Sequence, residues 1–475
     1  MRHLRAAALG RPTVRLSDAG AVAATTILAA GAGVAIAASP RPLLILLPVG
    51  ALSWMMVVRD VASVERALTL VLVGGAIVLG YGFANVGIRS GSAPIPLAEI
   101  ILLPLVAAAL LGRPEWRPPA SIVVPVLAYT GIVGVRFLFD YPVWHSLAIR
   151  DATTGIELTT VFVGYRALSR DGIGTWVKRF EAIFLALLVV GSLDQIGAVT
   201  AHGPVVGLQQ SVPLFGTASL TGAAVIAAMA FFAIYSTGAR RTVLMAWSIA
   251  LIAVIQERGL YVALVVVLIV LGASLRQPTG TWARAFTALA IGAGLLVLAA
   301  GMGISGRLGK LSPDFYVKHV ETLAGAQGPG AGSFHDRITW THKTLSLVAK
   351  SPKTELFGVG LGPDLAFGFK APNGASVRKP HDDYLEVFAR TGIVGFAVFA
   401  FVLWSLLATV VRWRSGVDDE SRRFRAFVLS VAATYLTVAA TQPLLAFPYG
   451  TVPTFFVLGL GVAASLRPSV ERTLG

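Results

Sequence analysis

Stretches of about 20 consecutive, mostly apolar residues recur along this 475-residue chain, and that recurrence limits the possible folds more than any other feature. A helix of that length matches the thickness of a bilayer's hydrocarbon core. Fourteen such stretches can be laid out, at about 20–38, 42–58, 67–87, 95–111, 121–139, 152–168, 180–199, 218–236, 242–256, 258–275, 284–303, 392–411, 426–446 and 449–466. Composition agrees: 55% of residues are hydrophobic and 13% charged, against about 25% charged in an ordinary soluble domain, so most of the chain cannot face water. The 50 glycines and 25 prolines interrupt apolar runs instead of forming low-complexity tracts, a pattern tolerated where helices pack in lipid or line a cavity. The predicted fold class is all-α, a polytopic membrane helix bundle of about 12–14 spans with one large, partly helical loop. The absence of cysteine excludes disulfides, thiolate metal sites and thiol nucleophiles.

A net charge of +15 raises the question of nucleic acid, and the positions of the basic residues answer it. Counted from an inside start, Arg2, Arg5, Arg11 and Arg15 at the N-terminus and Arg412, Arg414, Arg422, Arg423 and Arg425 near the other end fall on the cytoplasmic side. The short outer connections and outer helix ends hold only Arg41, Arg89, Arg136, Arg150 and Arg258. This is the positive-inside bias, and it predicts an even number of spans with both termini cytoplasmic. The basic excess therefore reports topology, and no nucleic-acid partner is expected. The first apolar stretch closes on Ala35-Ile36-Ala37, a pattern like a signal cleavage site. It exceeds the roughly 7–15 apolar residues of a signal, so an uncleaved anchor is expected. No internal repeat of about 20–50 residues is visible.

One connection breaks the rhythm of short loops. Residues 304–391 separate a predicted N-terminal transmembrane bundle (1–303) from C-terminal transmembrane helices (392–475), and fall on the extracytoplasmic side. Structureless loops of that size are uncommon in compact proteins, so this one is expected to fold over the bundle. Flexible punctuation at Gly325–Gly332 precedes a predicted helix over Arg337–Lys350, with Ile338, Thr341, Leu345 and Val348 at helical steps and Pro352 as the stop. Arg337, Trp340 and Thr341 share one side of it. Gly358, Gly360 and Gly362 mark a tight turn whose amides are also able to meet phosphate. A polar turn at Asn373 and Gly374 follows, then a helix from about Asp382 that ends at Gly392.

The loop carries 11 Lys and Arg, which sidedness does not explain, because long translocated loops escape the rule. Arg258, in the tight Gln256-Glu257-Arg258 hairpin between two spans, is returned by the topology to the same membrane face as Arg337, Arg378 and Lys379. Guanidinium groups offer paired donors that match phosphate oxygens and keep their charge at any physiological pH, so this grouping suits a diphosphate. His381 adds a side chain able to exchange a proton near neutrality. Each residue also has a plainer role: Arg258 as an interfacial anchor, Arg337 as a solvated cation, His381 in a helix entry, and Arg378 and Lys379 as electrostatic background. Asp382 and Asp383 resemble a metal pair but lack further ligands, so no metal site is assigned. His145, His202, His319, His335 and His342 are read as structural. Glu99, Arg136, Glu157 and Asp194 are ionisable groups inside predicted spans, and they support a rival class, a transporter or flippase for a lipid-linked glycan.

The run Lys379-Pro380-His381-Asp382-Asp383-Tyr384-Leu385-Glu386, followed by Gly392-Ile393-Val394-Gly395, resembles the signature of the O-antigen ligase and polymerase superfamily. Arg258-Gly259 opening a span agrees, as does Arg337-x-x-Trp340 leading through Pro352 to Phe357-Gly358-Val359-Gly360-Leu361-Gly362. The resemblance covers about residues 242–411 in motifs, with Asp382 where asparagine is common and fourteen predicted spans where about twelve are usual. It implies metal-independent glycosyl transfer without a cofactor, in the cytoplasmic (inner) membrane. The glycan would pass from a polyprenyl-diphosphate-linked donor to a hydroxyl on a lipid or glycan acceptor at the outer face of the bilayer. By position it implies Arg258, Arg337 and His381 as the catalytic group. Arg378, Lys379, Tyr384 and Trp340 are the candidates for substrate binding. A polymerase of lipid-linked repeat units would use the same donor and differ in the acceptor.

Overall fold

The computed structural model describes residues 62–90, 93–195, 202–204, 211–213, 218–275, 305–306, 309–310, 312–321, 331–370, 377–413 and 418–466. The expected spans at 20–38, 42–58 and 284–303, the Ala35-Ile36-Ala37 site and the turn at Asn373 and Gly374 lie outside these residues.

The described residues are overwhelmingly helical. Helix α1 (Ala62–Gly74) runs into a π-helical turn (Gly75–Leu79) and the short α2 (Tyr81–Asn85). A small antiparallel hairpin, β1 (Gly87–Ser90) with β2 (Ala93–Pro96), leads to α3 (Leu97–Leu111). Then come α4 (Ala120–Trp144), α5 (Ser146–Glu157), α6 (Thr160–Asp171) and α7 (Ile173–Gln195). A second hairpin, β3 (His202–Pro204) with β4 (Ser211–Pro213), precedes α8 (Ala218–Tyr235), α9 (Gly238–Ile255) and α10 (Arg258–Leu275). The large loop contributes a two-residue pairing, β5 (Ser305–Gly306) with β6 (Gly309–Lys310), then α11 (Pro313–Glu321), α12 (Ala331–Val348) and α13 (Pro352–Phe357). Helices α14 (Asp383–Arg412), α15 (Asp419–Ala439) and α16 (Pro448–Leu466) complete the order.

Six of these segments are long and apolar enough to cross a membrane: Ala62–Leu79, α4, α9, α10, α14 and α16, with α3 and Thr221–Tyr235 as shorter apolar helices. Helices satisfy the backbone internally, which hydrocarbon demands. Their outer faces carry large apolar side chains where a soluble protein would place charge, such as Phe139 on α4 (74% exposed) and Trp404 on α14 (64% exposed). The chain is an all-α polytopic membrane protein. The span expected at 152–168 is instead divided between α5 and α6. At the break the hydroxyls of Thr159 and Thr160 bond back to the carbonyls of Ile156 and Glu157, each at 2.5 Å, competing with the helical ladder.

Two features fix the packing. Helices α6 and α16 approach backbone to backbone: a Cβ on Gly164 would lie 2.1 Å from Phe456 O, and one on Gly459 would lie 2.1 Å from Val161 O. Small residues allow such crossings in membranes. Beside it, Phe180, Phe184, Phe231 and Phe427 from α7, α8 and α15 interlock with ring centroids 5.2–6.2 Å apart, in the spacing aromatic pairs prefer.

At one end of the bundle the loop element lies over the starts of α10 and α14. Helix α12 begins at Ala331, six residues before the expected start. Pro352, expected only to stop it, also opens α13, because proline is suited to a first helical turn and Ser351 caps it with a capping box. A small separate core of Val348, Leu365 and Ala389 ties α12 to α14. Gly392, expected as a helix end, is a non-helical kink (φ 69°, ψ −169°) inside α14, so the loop helix and the span share one axis element.

Candidate functional site at the loop end of the bundle

The site is assembled from three chain reversals. The first joins α9 to α10. Gln256 adopts a left-handed conformation (φ 55°), which turns the chain so sharply that Arg258 is already the first residue of α10, 8% exposed. The second is the entry to α14, where His381 is also left-handed (φ 57°) and Asp382 caps the helix by accepting from the amides of Tyr384 (3.0 Å) and Leu385 (3.1 Å). Left-handed backbone at a non-glycine residue costs roughly 1–2 kcal/mol, and it persists where surrounding contacts over-determine it. The third lies between α15 and α16 and carries Ala440, Thr441 and Gln442.

Arg258, Arg337 and His381 line one cavity of about 390 Å³. Gly259 and Val262 of α10, Ile338, Thr341 and His342 of α12, Pro380, Asp382, Ala440 and Thr441 complete its wall. Positive charge thus enters from the bundle and from the loop, with an imidazole between. The ring of His381 stacks on Trp340 (centroids 5.7 Å apart, 28° between planes), and Trp340 in turn meets Phe369 edge-on at 5.0 Å. Burial first, and the nearby Arg337 guanidinium second, hold the His381 pKa below its ordinary value, so the ring is neutral at pH 7. Burial also pushes the Asp382 carboxyl up, against the two amides it caps. On its far side His381 places Nδ1 3.2 Å from Gln442 Oε1, and Gln442 Nε2 donates to Glu257 Oε1 at 2.6 Å.

The remaining expected site residues do not line this cavity. Lys379 is buried with its ammonium 3.0 Å from Glu386 Oε1 and over the Phe447 ring at 4.9 Å. Arg378 donates to Gly362 O and lies 3.6 Å from Asp151 Oδ2, and the half-buried Tyr384 hydroxyl donates to Leu436 O at 2.8 Å. Beneath them runs a buried network. Arg390 Nη1 meets Asp151 Oδ2 at 2.9 Å, and its Nε meets Glu386 Oε1 at 2.8 Å. Asp151 Oδ2 also accepts from Gly362 N (2.9 Å), while Asp140 Oδ2 accepts from Leu361 N (2.7 Å) and from Arg136 Nε (2.8 Å). Two amides of the glycine turn, those of Leu361 and Gly362, are thus bonded to carboxylates of α4 and α5, while those of Gly358, Val359 and Gly360 donate to the carbonyls of Thr354, Ala389 and Arg390, so the turn docks the loop on the bundle. Asp383 Oδ2 accepts from Leu445 N at 2.5 Å while Asp382 caps α14, so the two aspartates serve different turns. Among the described residues no three His, Asp or Glu side chains are grouped as metal ligands. Of the ionisable groups expected in spans, Glu99 and Glu157 are buried as neighbours, Arg136 is paired with Asp140, and Asp194 sits beside Gln195.

Sequence reasoning missed His342, Gln442 and Glu257. His342 had a usable signal, since it lies one turn after Ile338 on the helix that carries Arg337. A neutral amide such as Gln442, 61 positions from the histidine it touches, had none.

Residues 243–400 match the family described as O-antigen ligase, an interval that contains Arg258, Arg337, Trp340 and His381. No curated protein matches the chain. Arg258, Arg337 and His381 thus lie within the matched stretch, while Ala440 and Thr441 close the cavity from outside it. Over residues 243–400 the chain matches the O-antigen ligase family, and that stretch belongs to an integral-membrane protein whose helices are long and apolar enough to cross a bilayer.

Proposed function

We propose that the protein transfers a glycan from a polyprenyl-diphosphate carrier to an acceptor hydroxyl at the outer face of the cytoplasmic membrane, with both termini cytoplasmic and the large loop extracytoplasmic. The observation that carries this reading is the meeting in one cavity of Arg258, Arg337 and His381, all three from the family-matched stretch. The acceptor oxygen forms a bond to the anomeric carbon as that carbon's bond to the diphosphate oxygen breaks. The hydroxyl proton passes to the neutral His381 imidazole, and the bonding electron pair leaves with the diphosphate. Arg258 and Arg337 hold the diphosphate and offset its growing charge, the preorganised electrostatics that often dominates catalysis. Two guanidiniums take the part a divalent cation plays in other diphosphate chemistry, and single displacement inverts the anomeric centre. Trp340 holds the imidazole plane. Arg378, Lys379 and Tyr384 act by holding the turn and the helix start that carry the site, without touching the donor.

The test is incubation of the purified protein with a defined lipid-linked oligosaccharide and an acceptor, in buffer with EDTA, with products resolved by size. A single shift identifies a ligase and a ladder identifies a polymerase. Removing the proton acceptor in His381→Ala is expected to lower the rate by about 10²–10⁴-fold. Full activity of His381→Ala together with Arg337→Ala, or strict dependence on Mg²⁺, would overturn the reading. Movement of donor across a vesicle membrane with no new glycosidic bond would identify a flippase instead.

A further inference from the structure

An imidazole has two ring nitrogens, and the contacts behind His381 decide which of them carries the hydrogen. Gln442 is the deciding residue. Its Nε2 donates to Glu257 Oε1 at 2.6 Å, and a carboxylate oxygen only accepts, so the amide NH₂ must face Glu257. The other end of the amide, Oε1, then faces His381 Nδ1 at 3.2 Å. A carbonyl oxygen also only accepts, so Nδ1 must bring the hydrogen to that contact. In a neutral ring the lone pair is left on Nε2.

Resting on the base role of His381 given above, we infer that Gln442 and Glu257 are positioning residues that hold His381 in the Nδ1–H tautomer, with Nε2 as the atom that takes the acceptor's proton. Both are shielded from water, at 5% and 8% exposure, so solvent does not compete for the relay. Backbone bonds fix the Gln442 turn: its own amide donates to Val438 O at 2.9 Å, and its carbonyl accepts from Leu444 N at 2.8 Å. Trp340, stacked on the ring, opposes a flip that would exchange the two nitrogens. Glu257 precedes Arg258 in the same tight turn, so the relay also ties the base to one of the two cations. The charged groups that act on the ring are Arg337 from α12, Glu257 from the α9–α10 turn and the more distant Glu386 of α14, and Arg258 and Asp382 share its cavity wall. Proton uptake at Nε2 leaves the Nδ1–H contact with Gln442 intact, and the resulting imidazolium is stabilised through the amide by Glu257.

The direct test is ¹⁵N NMR of histidine-labelled full-length protein in nanodiscs, with the His381 signals identified by their loss in His381→Gln. A protonated Nδ1 and an unprotonated Nε2 near neutral pH are expected. The opposite tautomer overturns the inference, and this wild-type measurement stands even if a variant fails to fold. Kinetics supply the second arm. Gln442→Leu is expected to lower kcat by about 10²-fold with KM for the lipid-linked donor unchanged. The exchange Glu257→Gln with Gln442→Glu reverses the relay: the new amide donates to the new carboxylate, which accepts directly from Nδ1–H. It should recover most of that loss and move the acid limb of activity to higher pH, an effect that a merely structural role would not produce. Wild-type kcat and acid limb in Gln442→Leu, with His381→Ala inactive, would overturn the positioning role and leave the base standing. Activity in His381→Ala would remove the base and the relay together.

Discussion

Replacing Asp151 with alanine tests whether the buried charge network is what docks the loop on the membrane bundle. The Asp151 side chain is fully buried, and its Oδ2 receives Arg390 Nη1 at 2.9 Å and the Gly362 amide at 2.9 Å. Arg390 is itself 3% exposed, and its remaining contacts are Glu386 Oε1 (2.8 Å) and the carbonyls of Gly360 (3.3 Å) and Pro363 (3.5 Å). Removing one partner of a buried pair costs about 3–5 kcal/mol, because the other charge stays out of water. The stranded Gly362 amide adds about 1–3 kcal/mol, though the terms overlap because both contacts end on the same Asp151 oxygen. A loss of about 4 kcal/mol raises the population of the locally opened loop roughly 10³-fold.

Hydrogen exchange followed by mass spectrometry measures this directly. In Asp151→Ala, peptides spanning 358–363 should exchange on the order of 10³ times faster, while α15 and α16 keep wild-type protection. Asp151→Asn keeps an acceptor for the amide but not the charge, so its effect should be intermediate. Asp151→Ala combined with Arg390→Ala should lose less than the sum of the two single losses, since neither of these charges is then stranded. Activity should fall in the same order. The glycine turn continues to Leu365, whose carbonyl accepts from Thr344 Oγ1 at 3.4 Å, and Thr344 lies on the helix that presents Arg337 and Trp340. Wild-type exchange across 358–363 in Asp151→Ala, with full activity, would refute the reasoning.

Arg337→Gln removes a cation that helps depress the His381 pKa, so the acid limb of kcat/KM should move up toward the ordinary value of about 6.5, and a downward shift would count against the electrostatic account. Burial of neutral His381 contributes stability that is present above about pH 6.5 and is lost as pH falls from there toward the lowered folded-state pKa, so His381→Gln should flatten that stretch of the stability curve. At Gly392 a Cβ would lie 2.4 Å from both Leu356 C and Leu356 O on a backbone at φ 69°, so Gly392→Ala should lower thermal stability in detergent. The strained conformation alone accounts for about 1–3 kcal/mol of that loss. Gly459→Leu would drive the α6–α16 crossing apart, and crosslinking between cysteines placed on the two helices should report it.

The bundle was legible because hydrocarbon forces a strong local signal: each span must carry its own apolar run and satisfy its own backbone. Where the pattern misled, at 152–168, paired threonines broke a run of the right length, a competition that hydropathy averaging hides. The cations and the histidine were legible for a related reason. Arg258 stands at a helix start and His381 beside a helix cap, and such ends are marked by Gln-Glu-Arg and Pro-His-Asp-Asp in the local sequence. What those positions do with their charge was not legible. Arg378 and Lys379 read as electrostatic background or substrate-binding cations beside Arg337, yet the fold sets one on Gly362 O and the other on Glu386, and places neither in the cavity wall. Their carboxylate neighbours sit on α5 and α14, and which charge meets which is settled by packing between helices that no local pattern links. Gln442 is the sharpest instance. A neutral amide next to Pro443 carries no sequence signal of chemistry, but its position between a carboxylate and an imidazole gives it a defined orientation. Charged endpoints announce themselves through the solvent they must leave or keep, whereas a neutral relay between them becomes visible only when both ends have been placed in space.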